Sequence, residues 1–405
     1  MAKAVVFGAA GVTGWGLCRA LLEYPTRHSF SSVIGLTLHP VSKDEDYFTD
    51  DDRLSTHTGI DLTVSEQEVQ QQLSQIPGFA DATHVYYVAC GLSPTYDFEE
   101  TAQINLRMFQ TALQVTAGLC ERLEHFSWQS GSLWYGGPFR AQVEEMGMKL
   151  PPHPFTESGP RVPDPIGGMI PFYKQHDMID HYYDNKYRRP SWSWTSPRAD
   201  TIIGFAPHVS PHNLALSLGS YLAIVRLLSP TGTEVPFPGT MASYQAPFTV
   251  TTQLNLAQTT IQLSLASKNL PHLCGEAFNI ATHSSAPLTW EYLWPLLLPF
   301  FGLRGKEPIS DQNGLPFGAE WVESKRHELA NAEGQTLNLI PGLATRIPWQ
   351  YLQFLLGADI ERSLDTTKVK ALADENGWRI EQQKPENAFF EAWKQAQASH
   401  LLPTF

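Results

Sequence analysis

The chain has 405 residues, of which 42% are apolar, so it holds enough material for a sizeable core and is neither disordered nor collagen-like. Its 28 Lys and Arg stand against 41 Asp and Glu, a net charge of −13 that argues against sequence-tolerant nucleic-acid binding and against docking on anionic lipid. Aromatic residues reach 11% while charged residues stop at 17%, a balance that favours aromatic burial and an apolar ligand pocket.

Met1-Ala2-Lys3 runs straight into the apolar stretch Ala4 to Phe7, which reads as a strand, where a secretory leader would need an apolar segment and a cleavage site. Gly8-Ala9-Ala10-Gly11-Val12-Thr13-Gly14 follows, then a helical pattern through Trp15, Leu17, Cys18, Leu21 and Leu22, then a second strand, Val33 to Leu38. His84 to Ala89 and Glu124 to Trp128 read as buried strands, with helical spacing from Asn105 to Leu119 between them. Pro138 to Ile170, rich in Pro and Gly, reads as a long ordered loop. Trp192 to Trp194 leads into Ile202-Ile203-Gly204-Phe205, strand then turn. Leu214 to Leu228, Thr249 to Ala266, Trp290 to Leu303, Trp349 to Gly357 and Glu386 to Ala398 have helical patterns. The most apolar stretch, Tyr292 to Leu303, is too short to span a bilayer and is broken by Pro295 and Pro299. The four cysteines are scattered and read as reduced thiols, so the expected setting is cytoplasmic, with no membrane or nucleic-acid partner. His208, His212 and His283 lack ligand spacing, and no metal site is expected.

This order predicts an α/β fold: a Rossmann-like doubly wound parallel sheet with a smaller, mainly helical C-terminal substrate-capping domain. Residues 1–205 form the dinucleotide-binding domain, with a segment at about 236–282 returning to it, and 206–405 form the capping part. Gly8, Gly11 and Gly14 match the three glycines of a dinucleotide turn: one for the turn, one for backbone approach to the pyrophosphate, one for helix–strand packing. The phosphates would sit at the helix start near Val12. An ordinary tight strand–helix turn would use the same residues. After the second strand, Thr37-Leu38-His39-Pro40 offers neither the acid that grips an NAD ribose nor the arginine that grips the phosphate of NADP; His39 and Lys43 are the nearby cations. Asp61, beside Leu62, stands where an adenine-amino acceptor would lie, or is a strand-end cap.

The glycine turn resembles that of the progesterone 5β-reductase/iridoid synthase-like (PRISE) family of short-chain dehydrogenases. So do Ser127-Trp128-Gln129-Ser130-Gly131-Ser132-Leu133-Trp134-Tyr135-Gly136-Gly137-Pro138-Phe139, Pro154-Phe155-Thr156-Glu157, Trp194 to Gly204, Pro236 to Thr240 and Glu276-Ala277-Phe278-Asn279. The resemblance runs from about residue 3 to about residue 300. It implies reduction of an enone or enal C=C bond by NADPH, with a tyrosine hydroxyl stabilising the enolate oxygen. Phe172-Tyr173-Lys174-Gln175-His176-Asp177 places that tyrosine at Tyr173, and His176 and Lys174 beside it are acid–base candidates or solvated helix residues. Tyr182-Tyr183-Asp184-Asn185-Lys186 is a formal YxxxK match that lies too near the next strand. The nicotinamide would lie near Ala89, Cys90, Ser127, Trp128 and Ala199; Leu133, Trp134, Tyr135 and Phe205 are candidate substrate contacts, and Trp128 reads as core.

One departure bears on the chemistry. The family's catalytic lysine is replaced by Leu133, and its phosphate-binding arginines are missing. Three readings follow: a reductase leaning on Tyr173, with NADP or NAD held weakly or not at all; a redox-silent isomerase or cyclase, such as a pericyclase, on the same scaffold; and an inactive nucleotide-sensing regulator. The expected partner is an apolar small molecule of secondary metabolism, and a homodimer is left open.

Overall fold

The computed structural model describes residues 1–39, 51–95, 97–184, 192–207, 210, 212–282, 288–309, 318–325, 327–329 and 348–405. Its strands are β1 (Ala2–Phe7), β2 (Phe30–Leu36), β3 (Leu54–His57), β4 (His84–Tyr87), β5 (His125–Trp128), β6 (Ser130–Gly131), β7 (Ser193–Ala199), β8 (Thr201–Ile203), β9 (Glu234–Pro236), β10 (Val250–Thr252), β11 (Glu276–Asn279) and β12 (Arg304–Lys306). The helices are α1 (Val12–Glu23), α2 (Glu66–Ser74), α3 (Phe98–Leu119), α4 (Arg140–Glu145), α5 (Pro171–Asp184), α6 (Leu214–Leu227), α7 (Met241–Gln245), α8 (Gln253–Ala266), α9 (Trp290–Leu297), α10 (Ala319–Ser324), α11 (Trp349–Gly357), α12 (Thr367–Asn376) and α13 (Pro385–Ala398).

The main sheet runs β3-β2-β1-β4-β5-β7-β11, with β6 beside β7, and its strand pairs are parallel. A parallel sheet is covered on both faces, which is why β1 and β4 read as continuous apolar runs. One face carries a core built from α2, α3 and α5, including Val5, Val85, Phe109, Phe126, Trp128 and Trp194. The other packs α1 and α8, through Leu17, Leu21, Ala257 and Ile261. A third core holds the C-terminal part together: Leu218 and Leu222 of α6, Trp290 and Trp294 of α9, Leu352 of α11 and Trp393 of α13. The C-terminal half is thus shared, since β11 closes the main sheet and α8 covers it, while α6, α9, α11 and α13 share a separate core in the part expected to act as a cap.

The structure corrects four local expectations. The stretch after Trp194 is two strands, because the chain leaves the main sheet at Asp200 and β8 pairs with β10 instead. The helical pattern from Thr249 begins with β10, and only at Thr252, whose side chain accepts a hydrogen bond from the Asn255 amide, does α8 start. The run from Trp290 is α-helical only to Leu297 and then tightens into a 3-10 turn, Leu298–Phe301, around Pro299. The long loop from Pro138 contains α4 and is pinned at Phe155, which bridges to Leu364 of the C-terminal segment. Among the described residues, no helix is long and apolar enough to cross a membrane.

Two buried histidines cross the sheet side by side, with ring centroids 6.4 Å apart. His84 Nδ1 meets the Thr83 hydroxyl at 2.9 Å, and the two nitrogens of His125 meet the Ser193 and Thr195 hydroxyls at 2.9 and 3.0 Å. Burial pushes His84 down to about 4, and burial with His84 as neighbour holds His125 well below the usual value. Both are therefore neutral when folded and protonate more readily when unfolded. Their contribution is complete above about pH 6.5 and is lost as pH falls towards about 4. Urea unfolding should show a lower midpoint at about pH 5 than at about pH 7.5; an equal or higher midpoint in acid contradicts this reading.

Candidate functional site

The site begins where β1 ends. Gly8 has φ +88°, a backbone that favours glycine, and a Cβ there would lie 2.8 Å from the Ala89 backbone. The turn therefore lies directly against the exit of β4. A Cβ on Gly14 would collide with the Gly8 carbonyl, so α1 closes onto the turn only through glycine. Gly11 is the N-cap of α1 in extended backbone (φ −75°, ψ 167°), with no side-chain cap and no acidic residue in the first turn. Side chains cap α2, α3, α6, α8 and α9, whereas α1, like α11, α12 and α13, has no such cap. The uncapped amides and the positive end of the α1 dipole are free for an anion. Val12 is buried, and its carbonyl accepts from the Gln253 amide, which also donates to Phe205 O at 2.7 Å.

The other proposed nucleotide residues fall around this turn. Thr37 is buried at the end of β2, with its hydroxyl donating to His39 O at 2.8 Å, and the His39 side chain is exposed. Lys43 lies outside the described residues. Asp61 uses one oxygen, Oδ1, to accept from Thr63 N and Oγ1 at 2.8 and 2.6 Å, as a cap does, which leaves Oδ2 open. Leu62 is in the core under α2. Ala89 follows β4 and Ala199 ends β7, so both stand at the carboxyl edge where doubly wound sheets bind ligands; Ser127 is buried within β5. This turn, its free helix start and these strand ends fit a dinucleotide.

Tyr173 sits in the first turn of α5 and is 5% exposed. Its hydroxyl donates to Trp134 O at 2.5 Å and accepts from Val162 N at 2.9 Å. Burial raises its pKa, while the Val162 amide and the Arg161 and Arg198 charges act the other way. Its ring meets Trp134 edge-on at 4.9 Å. The same indole lies under two guanidinium groups, Arg198 at 3.8 Å and Arg161 at 5.3 Å. Arg198, from β7, is 2% exposed and donates to Tyr135 Oη at 3.3 Å, while its Nε is sealed without a partner. Burial lowers its pKa, which Tyr135 and Glu157 partly offset.

The structure redistributes the remaining candidates. Tyr135 is completely buried, stacked on Phe155 and donating to Asn279 Oδ1 at 2.7 Å, so it supports the site from below rather than facing a ligand. Phe205 is likewise core, edge-on to Trp15. Leu133 is partly buried against the α3–α5 core. Trp128 is core, as its sequence position suggests, and donates to Gln175 Oε1 at 3.2 Å. Lys174 is exposed, whereas His176 is not a solvated helix residue: it packs among Trp128, Trp134 and Trp194, and its Nδ1 accepts from Arg161 at 3.0 Å. Burial, with Arg161 beside it, pushes His176 down to about 4, so near neutral pH it can accept but not donate as an acid. Tyr182 packs on Trp192, and Lys186 lies outside the described residues, as do His208 and His283. Among the described residues, no group of three or more His, Cys, Asp or Glu could hold a metal ion.

One cluster escaped the sequence reading. Asp200, just after β7, accepts from the Ser132 hydroxyl at 2.5 Å and from Arg362 Nε at 3.2 Å, with side chains of Asp200 and Arg362 only 3% and 7% exposed. This pair ties the carboxyl edge of the sheet to the C-terminal segment. Its members stand 162 positions apart, so no local pattern could join them.

Comparison with known proteins agrees with this geometry. A family model described as a PRISE-like Rossmann-fold domain matches residues 4–403. The short chain dehydrogenase sirR of Leptosphaeria maculans is 38% identical, over 99% of this chain and 97% of that protein. The (S)-8-oxocitronellyl enol synthase of Antirrhinum majus is 26% identical, over 76% and 72%. Gre2 from Candida albicans, solved in complex with NADPH, superposes with a TM-score of 0.60 at 13% identity, over 99% of this chain and all of that one. Since Gly14 admits no Cβ, Gly14→Ala should destabilise the protein by about 1–3 kcal/mol. Thermal unfolding without ligand checks this, and an unchanged Tm contradicts the packing described.

Proposed function

Because the chain belongs to the PRISE-like Rossmann-fold family of short-chain dehydrogenases, an NAD(P)-dependent enzyme superfamily, we propose that it reduces the C=C bond of an apolar enone or enal in secondary metabolism. The observation that carries this reading is the start of α1. Its amides are left uncapped at a turn that accepts only glycine and that lies against the β4 exit.

Gly8, Gly11, Val12 and Gly14 would hold the pyrophosphate, and the free oxygen of Asp61 would accept from the adenine amino group. Ala89, Ser127 and Ala199 border the nicotinamide. A bound nicotinamide would supply the hydride for the β-carbon of the substrate. Tyr173 then donates a hydrogen bond to the substrate oxygen as negative charge develops there, exchanging the Trp134 carbonyl for it, and the enolate takes its α-carbon proton from solvent. Arg161 and Arg198 favour that polarity because both guanidinium charges act on Tyr173. His176 stays neutral and holds Arg161 in place.

A second reading, a redox-silent isomerase or cyclase, is favoured by one pair of observations: Leu133 brings no cation, and the Tyr173 hydroxyl is already occupied by main chain. In that case the aromatic and guanidinium groups would preorganise a flexible substrate without hydride transfer. The two readings separate in one assay. With NADPH or NADH and simple enals, the reductase oxidises cofactor, and Tyr173→Phe lowers kcat about a hundredfold with cofactor Kd unchanged. Failure to bind either cofactor at about millimolar concentration, or a Tyr173→Phe variant with full activity, overturns the proposal.

A further inference from the structure

The strongest unassigned polar group lies on the cap. Tyr351, in α11, packs its ring on the edge of the capping core. Its ring meets His212 edge-on at 5.2 Å. Among the described residues its hydroxyl makes no hydrogen bond, yet the oxygen is not sealed away. Burial pushes the phenol up, and Asp200, Arg362 and Cys90 all lie within electrostatic reach of it.

Those neighbours locate it. Cys90 follows β4 by three residues, and Asp200 follows β7 directly. Tyr351 therefore lies within electrostatic reach of the carboxyl edge of the sheet, near the ends of β4 and β7. Asp200 cannot be the hydrogen-bond donor there, because its oxygens already accept from Ser132, Thr201 and Arg362. His212 is held neutral, pushed down to about 4 by burial. Tyr173, another phenol of the site, keeps its hydroxyl on main-chain groups until it exchanges the Trp134 carbonyl for substrate. A half-buried neutral phenol with no partner among the described residues is a strong hydrogen-bond donor for a carbonyl oxygen.

We propose that Tyr351 is a substrate-binding residue of the cap, whose hydroxyl donates a hydrogen bond to the carbonyl oxygen of an apolar α,β-unsaturated carbonyl compound. This rests on the reading that such a compound is the substrate; it does not require that hydride be transferred. The phenol keeps its proton, and the bond polarises the carbonyl. The cap thus contributes a polar group as well as apolar cover.

The test uses p-dimethylaminocinnamaldehyde, an enal whose visible band moves to the red when its oxygen accepts a strong hydrogen bond. The wild-type protein should bind it with a red shift. Tyr351→Phe, which keeps the packed ring, should still bind the probe but lose the shift, with kcat on enals down about a hundredfold and NADPH Kd unchanged. A shift retained in Tyr351→Phe, or lost only in Tyr173→Phe, overturns the inference and leaves the proposed function standing. Wild-type protein that neither binds the probe nor turns over enals overturns the proposed function and this inference together.

Discussion

Everything at the candidate site depends on how closely α1 approaches the turn that feeds it. Gly14 sits on the Gly8 carbonyl, and Gly8 sits on the Ala89 backbone, with no room for a side chain at either contact. These two contacts bring the start of a helix, a strand exit and a neighbouring strand exit to one point. The helix start that results has no side-chain cap, so its amides face the turn rather than the chain's own oxygens. A cradle for phosphate is the direct chemical consequence of that packing.

The second constraint joins the cap to this edge. Asp200 and Arg362 are an almost completely buried ion pair, and the guanidinium of Arg362 also lies over Phe248 at 5.5 Å. A buried pair contributes little net stability, but removing one partner leaves an uncompensated charge and is costly. Its value here is registry, since it fixes the C-terminal segment against the strand end. Arg198 shows the complementary solution: a buried cation with no carboxylate at ion-pair distance among the described residues, held instead against the face of Trp134 and a tyrosine oxygen. Arg161 and Arg198 thus flank Tyr173 in a chain that has leucine at position 133.

Local signals made the first half of the fold legible. The apolar run Ala4 to Phe7, the spaced glycines and the amphipathic stretch after them each depend on neighbours within a few residues, and β1, the turn and α1 follow that pattern. The family motifs likewise placed Tyr173 at the start of α5. What stayed hidden was set by distant partners. The break between β7 and β8 falls at Asp200, which meets the distant Arg362, and the strand before α8 depends on β10 pairing with β8. Tyr135 read as a substrate contact because an aromatic after a strand end is ambiguous until Asn279 and Phe155 are seen to enclose it. The occupied hydroxyl of Tyr173 and the open one of Tyr351 are facts of orientation, which residue spacing does not encode.

Hydrogen exchange of the amides at the start of α1 measures the nucleotide cradle most directly. Adding NADPH should slow exchange across Gly11 to Trp15 and at the Ala89 strand exit, while the distant capping helix α13 keeps its rate. Unchanged exchange at Gly11 to Trp15 under saturating NADPH, or protection confined to the cap, would contradict a dinucleotide seated on the glycine turn.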